Sequence, residues 1–188
     1  MKLILASNSP RRKDLLLKGG FDFEIITSSY EETENYVSPY ETAEYYAKNK
    51  ALNVFNKLND KNDVAVLGAD TVVYHDGKIL GKPKNSQKAK SMLKSLSGKT
   101  HEVISGYAVI IKDKIISSYV STFVTFNDLS NDDIERYIDS GLYKGKAGSY
   151  GIQDGFNLVS NYKGSFDNVV GLPTETIFPI LKKLLFGK

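Results

Sequence analysis

Residues 2–12 read Lys2-Leu3-Ile4-Leu5-Ala6-Ser7-Asn8-Ser9-Pro10-Arg11-Arg12, and this stretch combines a strand, a turn and a helix start. The apolar run at 2–6 predicts a short buried strand. Ser9 is a good N-cap residue, and Pro10 suits the first helical position. We expect the helix to run to about Lys18 and to stop at Gly19-Gly20. A buried strand feeding directly into a helix is typical of an α/β fold.

The rest of the chain continues this alternation of strands and helices. We expect a strand over 21–27, an acidic loop over 28–37, and a helix after the capping box Ser38-Pro39-Tyr40-Glu41. A second buried strand is predicted over 64–73, broken at 68–70, and Asp76-Gly77 predicts a β-hairpin after it. The remaining expected elements are a helix over 86–96, β structure over 100–126 with a turn at 112–114, a helix over 130–139, and a final helix from Leu172 that Pro179 kinks. This order predicts a mixed sheet.

Length and cysteine content limit the classes of protein. The chain has 188 residues, which predicts one domain over 1–188, or two lobes that share a core. It contains no cysteine, which excludes a disulfide scaffold, a thiolate nucleophile and a cysteine-ligated zinc site. His75 and His101 are the only histidines and leave little for a histidine-based metal cluster.

Charge and hydropathy limit location and partners. The net charge of +3 does not indicate a nucleic-acid binder, so no stable nucleic-acid partner is expected. The apolar run at 3–6 is too short for a signal peptide, and no segment approaches the ~18 apolar residues of a membrane span. We therefore predict a cytoplasmic protein with no membrane partner.

Opposite charges are concentrated in neighbouring segments near the N-terminus. Residues 1–20 hold five basic residues and one acidic residue, whereas 21–46 hold seven acidic residues and no basic one. Solvated helix faces and loops would explain this pattern. A phosphate-binding edge facing a metal-binding edge would explain it too, and handling a polyphosphate needs both.

Two segments carry side chains suited to phosphate chemistry. The first, 7–12, follows a strand and opens a helix, where backbone N–H groups attract anions, and its hydroxyls and guanidinium groups would form a phosphate clamp. A capped surface helix with an ordinary basic face is the alternative. The second, Gly68-Ala69-Asp70-Thr71, places a carboxylate in an apolar run, where it is costly without a partner. It predicts a metal ligand or a general base, the alternative being an aspartate bonded to the backbone at a strand end.

Common hydrolase signatures are missing from the sequence. No P-loop is present, because the segment 77–82 lacks a Ser or Thr after its lysine and the segment 141–146 has the wrong spacing. No Gly-x-Ser-x-Gly elbow is present, and two histidines make a serine–histidine triad improbable.

Eight segments of the sequence form an ordered set of motifs: 3–12, 31–32, 47–51, 68–73, 81–83, 96–101, 146–153 and 168–173. In this order they resemble the motifs of the Maf family of nucleoside triphosphate pyrophosphatases. One segment departs from the family. Where the family often has Gly-Glu-Pro-x-Asp-Lys-Ala-Gly, this chain has Gly141-Leu142-Tyr143-Lys144-Gly145-Lys146-Ala147-Gly148, which leaves the role of those acidic residues open.

The resemblance implies a fold and an activity. The implied fold is an elongated mixed β-sheet flanked by helices, with two lobes and a central cleft, as in the inosine-triphosphatase-like proteins. The implied reaction is hydrolysis of a nucleoside triphosphate to the monophosphate and pyrophosphate with a divalent cation, Mg²⁺ or Mn²⁺. The family's usual role is to clear non-standard or surplus nucleotides, and it is linked to arrest of cell division. A homodimer is compatible with the resemblance.

The resemblance also implies roles for individual residues. The expected phosphate ligands are Arg11, Arg12, Lys50 and Lys82, with help from Ser7 and Ser9. Glu32 and Asp70 would hold the metal ion through oxygen. Asp70 would also orient or deprotonate the attacking water.

Three further residues bear on the choice of base. The family contains members that prefer dTTP and UTP and members that prefer 7-methyl-GTP, and Arg11, Thr71 and Gln153 resemble the first group. A glutamine amide offers one donor group and one acceptor, which match the N3–H and carbonyl groups of uracil or thymine. We therefore expect turnover of dTTP and UTP, weaker turnover of CTP, and little of 7-methyl-GTP or ATP.

Two other functions fit parts of the sequence. A non-catalytic nucleotide-binding regulator of septum formation would need the phosphate clamp but not the carboxylates of Glu32 and Asp70. A nucleic-acid-binding module would use the basic N-terminal helix and the twelve Tyr and nine Phe residues to stack bases.

Overall fold

The computed structural model describes residues 1–32, 38–112 and 114–187. The strands in this part of the chain are β1 (Lys2–Leu5), β2 (Glu24–Ile25), β3 (Val64–His75), β4 (Lys78–Leu80), β5 (Thr100–Ile111), β6 (Lys114–Phe126) and β7 (Val159–Lys163). The α-helices there are α1 (Pro10–Lys18), α2 (Pro39–Lys57), α3 (Ser86–Leu96), α4 (Asn131–Asp139), α5 (Phe166–Val170) and α6 (Thr174–Phe186), and a short 3-10 helix spans Ala147–Ser149.

The described strands form one mixed sheet. Its order is β2-β1-β3-β5-β6-β7, and β4 pairs with β3 beside this path. β1 is parallel to both β2 and β3, with Leu5 opposite Ile25 and Leu67. β4 is antiparallel to β3, and β7 is antiparallel to β6. The predicted α/β class with a mixed sheet and flanking helices is therefore confirmed.

The chain divides into two compact units. The first comprises 1–70, 105–120 and 171–188, and the second comprises 71–104 and 121–170. Asp70 is the last residue of the first unit along β3, and Thr71 is the first residue of the second.

In the first unit, helix α2 packs directly on the strands. Ala51, Val54 and Phe55 of α2 form one buried cluster with residues of β1, β3 and β5. Two glycines allow this close approach: a Cβ at Gly68 would lie 2.2 Å from the Ala47 carbonyl oxygen, and one at Gly106 would lie 2.1 Å from the Ala43 carbonyl oxygen. Glycine is needed here because no side chain fits between strand and helix.

In the second unit, helices α3 and α4 supply most of the helical core. Leu93 and Leu96 of α3 and Ile134 and Tyr137 of α4 belong to one buried cluster with Phe126 of β6. Helix α4 begins with a complete capping box between Ser130 and Asp133, which satisfies backbone N–H groups at its N-terminus.

Most predicted elements are confirmed. The helices over 86–96 and 130–139 lie where the sequence placed them, within a residue. The hairpin at Asp76-Gly77 is confirmed, since both residues have positive φ, 46° and 74°, as its turn type requires. The predicted turn at 112–114 includes residue 113, which lies outside the described residues, as does the part of the predicted acidic loop at 33–37.

Several boundaries were wrong. β3 is not broken at 68–70, because Gly68 serves helix–strand contact within a continuous strand. β2 covers two residues instead of 21–27, and the Phe21 ring that precedes it packs against Phe178 of α6, with ring centroids 4.9 Å apart. The final helix starts at Thr174 rather than Leu172, and α5 before it was not predicted. Ser9 precedes α1 but its side chain makes no capping bond, and at α2 only the Ser38 half of the predicted capping box forms.

In the part of the chain that the structure describes, no helix has the length and apolar character needed to cross a membrane.

Candidate functional site

The turn between β1 and α1 is organised around the Ser7 hydroxyl. Ser7 is buried, and its Oγ accepts hydrogen bonds from the Ser9 backbone N at 3.3 Å and from Arg12 Nη1 at 3.1 Å. Ser9 thus contributes its backbone to this turn. Ser7 and Arg12, five residues apart on either side of the turn, are in direct contact, as a phosphate clamp would require.

Arg12 is a half-buried cation held at two points. Its Nε donates to the Gly171 carbonyl oxygen at 2.9 Å, in addition to the bond from Nη1 to Ser7. Burial lowers the pKa of the Arg12 guanidinium, and the nearby charge of Arg11 lowers it too, whereas Asp70 and Glu32 oppose this. Arg12 therefore lies within electrostatic reach of one cation and two carboxylates.

Lys50 joins the two carboxylates that the family resemblance predicts as metal ligands. Its Nζ lies 2.6 Å from Asp70 Oδ1 and 2.5 Å from Glu32 Oε1. The Asp70 side chain is 10% exposed and that of Lys50 14%, whereas Glu32 is 41% exposed. Residues from α1, a loop, α2 and β3 thus form a single charged cluster, which we call the Asp70 cluster: Arg12, Glu32, Lys50 and Asp70.

The electrostatics of Asp70 suit a proton acceptor. Burial raises the pKa of its carboxyl above the ordinary aspartate value, Lys50 and Arg12 lower it, and Glu32 raises it further. A carboxylate with a raised pKa is a better base, and a general base is most effective when its pKa approaches the working pH. The cluster therefore places cations beside a buried carboxylate that can accept a proton.

The carboxylates of this cluster also fit a divalent cation. Two hard oxygen donors, Glu32 Oε1 and Asp70 Oδ1, already share one cationic neighbour, the Lys50 ammonium group. Among the described residues, no group of three or more His, Cys, Asp or Glu side chains could hold a metal ion. Mg²⁺ is commonly bound by one or two carboxylates plus substrate phosphates and water, so two protein ligands suffice.

Arg11 lies next to Arg12 in α1 of the first unit, whereas the three remaining predicted site residues belong to the second unit. Thr71 directly follows Asp70 in β3, Lys82 is exposed in the loop after β4, and Gln153 is exposed in the glycine-rich segment 141–155. The Gly148 N–H donates to the Gly81 carbonyl at 3.2 Å, which ties the Lys82 loop to the 3-10 helix before Gln153. The roles predicted for these three residues stay predictions.

Comparison with known families identifies the chain. A family model described as "Maf-like protein" matches residues 2–184. The chain belongs to the Maf family.

Curated relatives match over almost their whole length. The dTTP/UTP pyrophosphatase of Bacillus thuringiensis subsp. konkukian (strain 97-27) is 47% identical over 184 residues, which cover 97% of this chain and 95% of that protein. The dTTP/UTP pyrophosphatase of a Bacillus cereus strain is 48% identical with the same coverage. A solved structure, the nucleoside-triphosphatase / dITP/XTP pyrophosphatase of Mycobacterium abscessus, is more distantly similar: 14% identity, 69% of this chain, 76% of that chain and a TM-score of 0.45.

A buried ion pair was missed by the sequence analysis. Lys146, which occupies the lysine position of the Maf pattern Gly-Glu-Pro-x-Asp-Lys-Ala-Gly, pairs with Asp154, and both side chains are less than 10% exposed. The two acidic residues of that pattern are replaced here by Leu142 and Gly145. No regular spacing links 146 to 154 across a glycine-rich loop, so the sequence held no signal for this pair.

The histidines of this Maf protein play a structural part. His101 is buried, and its Nε2 shares a hydrogen bond of 2.6 Å with the Tyr150 hydroxyl. Burial lowers the pKa of His101 to about 3, and the nearby His75, with ring centroids 6.5 Å apart, lowers it as well. Phe126 covers the ring on another side. His101 is therefore neutral at physiological pH and belongs to the core.

This lowered pKa predicts acid sensitivity. The unfolded chain binds a proton at His101 below about pH 6.5 and the folded chain only near pH 3, so stability falls as pH falls through this window. The loss attributable to His101 is on the order of 5 kcal/mol over the whole window, of which about 3 kcal/mol falls above pH 4. We expect His101→Gln to lose less unfolding free energy than the wild type between pH 7 and pH 4 in urea titrations. Equal losses in the two proteins would contradict the assignment.

Proposed function

We propose that this protein hydrolyses dTTP and UTP to the nucleoside monophosphate and pyrophosphate. The observation that carries the proposal is the Asp70 cluster, in which a buried carboxylate lies 2.6 Å from Lys50 and within electrostatic reach of Arg12. Relatives 47–48% identical over 97% of the chain are named dTTP/UTP pyrophosphatase, which supports the same substrates here. Removal of such nucleotides from the cellular pool is the role that follows.

The cations of the cluster would bind the triphosphate. The charge of a triphosphate repels a nucleophile, so the phosphate oxygens must be neutralised before water can attack the α-phosphorus. Arg11, Arg12 and Lys50 supply that charge, and the buried Ser7 hydroxyl orients Arg12 through its bond to Nη1. Lys82 is proposed to bind phosphate as well.

Asp70 would act on the attacking water. Its buried carboxylate accepts hydrogen bonds, and its raised pKa favours uptake of a proton from water. A divalent cation, Mg²⁺ or Mn²⁺, would be held by Glu32 and Asp70 and would supply further neutralisation of the phosphate charge. Lys50 now bridges the same two oxygens, so phosphate binding by Lys50 would release them.

The competing function, a non-catalytic regulator of septum formation, is not favoured. A regulator that only binds nucleotide needs the phosphate clamp but has no use for a buried carboxylate in the middle of β3. Burying such a group is costly without a partner, and here its partner is Lys50. The similar relatives carry the name of an enzyme. The cytoplasmic location and a homodimer stay predictions.

A substrate screen tests the proposal. The protein is incubated with each nucleoside triphosphate in the presence of Mg²⁺ or Mn²⁺, and released pyrophosphate is measured. We expect dTTP and UTP to be the best substrates, CTP to be weaker, and ATP and 7-methyl-GTP to be poor. No pyrophosphate from any nucleotide, or 7-methyl-GTP as the best substrate, would contradict the proposal.

Gln153→Glu tests the choice of base. The neutral amide pairs with the N3–H and a carbonyl of uracil or thymine, whereas a carboxylate only accepts hydrogen bonds and favours a cationic 7-methylguanine. We expect dTTP turnover to fall by about tenfold and the relative turnover of 7-methyl-GTP to rise. An unchanged base preference would mean that Gln153 is only a loop residue.

A further inference from the structure

One carboxylate oxygen of Asp154 interacts with two donor groups. Its Oδ2 pairs with Lys146 Nζ and accepts a hydrogen bond from the Tyr137 hydroxyl at 2.5 Å. Tyr137 is buried in the core of the second unit, and its hydroxyl also accepts the Gly151 N–H at 3.1 Å. The Asp154 side chain is 6% exposed, so this carboxylate is held in place by helix α4 and by its own loop.

The second oxygen of Asp154 determines which way the Gln153 amide faces. Gln153 Nε2 donates to Asp154 Oδ1 at 3.2 Å. An ionised carboxylate can only accept hydrogen bonds, so the amide atom beside it must be the nitrogen. Lys146 supplies the opposite charge that a buried carboxylate requires. The amide oxygen of the exposed Gln153 therefore faces away from Asp154.

The packing around this pair leaves little room for rearrangement. A Cβ at Gly151 would lie 2.7 Å from both Asp154 carboxylate oxygens and 2.7 Å from Gln153 Nε2. The contact between the two side chains thus depends on glycine at 151. A methyl group there would push apart the ends of two side chains rather than the backbone.

We infer that Asp154 is a specificity-positioning residue, which fixes the Gln153 amide so that its oxygen meets N3 of the base and selects uracil and thymine over cytosine. Uracil and thymine carry N3–H, a donor that a fixed amide oxygen accepts. Cytosine N3 is an acceptor and would face that oxygen unpaired. A freely rotating glutamine could instead offer its NH₂ group to cytosine. This inference rests on the proposed function, in which Gln153 binds the base.

The test compares kcat/KM for UTP and CTP in variants of the full chain. Asp154→Asn replaces the obligate acceptor with an amide that donates as well as accepts, so Gln153 can face either way. It also leaves Lys146 buried without a counter-ion, so the main variant is Lys146→Met/Asp154→Asn, which removes both charges. Lys90→Met/Glu135→Gln removes a partly exposed ion pair of the same unit and is the matched control.

We expect the UTP-to-CTP ratio to fall by about tenfold in the double variant, the factor that one mispaired hydrogen-bonding group produces, and to be unchanged in the control. If the contact were merely structural, its loss would lower kcat/KM for UTP and for CTP alike and leave their ratio unchanged. If the double variant does not fold, Gly151→Ala keeps both charges and displaces Gln153, and the same fall is expected.

The outcomes separate this inference from the proposed function. A wild-type ratio in a folded double variant, or in Gly151→Ala, overturns the inference and leaves the hydrolysis of UTP standing. Equal turnover of CTP and UTP by the wild type also overturns the inference and leaves the hydrolysis of UTP standing. Absence of UTP and dTTP hydrolysis in the wild type overturns the proposed function, and the inference with it.

Discussion

Asp70→Asn is expected to lower dTTP turnover by about 10²–10⁴-fold, the usual contribution of a general base. Asparagine keeps the volume of the side chain but carries no negative charge and cannot take a proton from water. The change removes the partner at 2.6 Å from Lys50, which keeps its bond of 2.5 Å to Glu32. The measurement is the rate of pyrophosphate release at saturating dTTP.

Folding of this variant can be predicted as well. Burial raises the pKa of Asp70, which means that the folded protein disfavours the charged carboxylate, so a neutral side chain is not expected to lower the melting temperature. Asp139→Asn, the same chemical change at an exposed position at the end of α4, serves as the matched control. A rate near that of the wild type in Asp70→Asn would refute the role of Asp70.

Arg12→Ala is expected to lower kcat/KM for dTTP by about 10²–10³-fold, the typical cost of removing one donor that stabilises transition-state charge. Arg12 is fixed by Ser7 and by the Gly171 carbonyl, so its guanidinium is oriented before substrate binds. A preorganised cation contributes more than a mobile surface lysine does. Lys82→Ala is expected to act in the same direction.

Surface lysines provide the controls for the phosphate site. Lys182 and Lys183 are exposed on α6, and alanine at either position is expected to leave kcat/KM near the wild-type value. The melting temperature of Arg12→Ala is measured alongside, because the bond to Gly171 is lost too. If the control variants lose as much kcat/KM as Arg12→Ala does, the segment 7–12 does not bind phosphate.

The local structure around Asp70 and the N-terminal helix could be predicted from the sequence because its signals are local or chemically costly. An aspartate in the apolar run of β3 required a partner, and the structure supplies Lys50. The strand, turn and helix over 2–18 follow from the apolar run at 3–6 and from the short-range preferences of proline and glycine. The hairpin at Asp76-Gly77 follows from the positive φ of both residues.

What the sequence did not show depends on contacts between distant residues. Gly68 resembled a strand break but is the point where α2 touches β3, and no local pattern distinguishes the two. The bond from Arg12 to the Gly171 carbonyl joins residues 159 positions apart. The pairing of Lys146 with Asp154 depends on the path of a glycine-rich loop, which residue preferences do not determine.

In the proposed mechanism, water attacks the α-phosphorus of the nucleotide and pyrophosphate leaves. The decisive measurement is hydrolysis of dTTP in ¹⁸O-labelled water, with mass spectrometry of both products. We expect one ¹⁸O atom in dTMP and none in pyrophosphate. Incorporation of ¹⁸O into pyrophosphate, or release of dTDP and inorganic phosphate, would refute this mechanism.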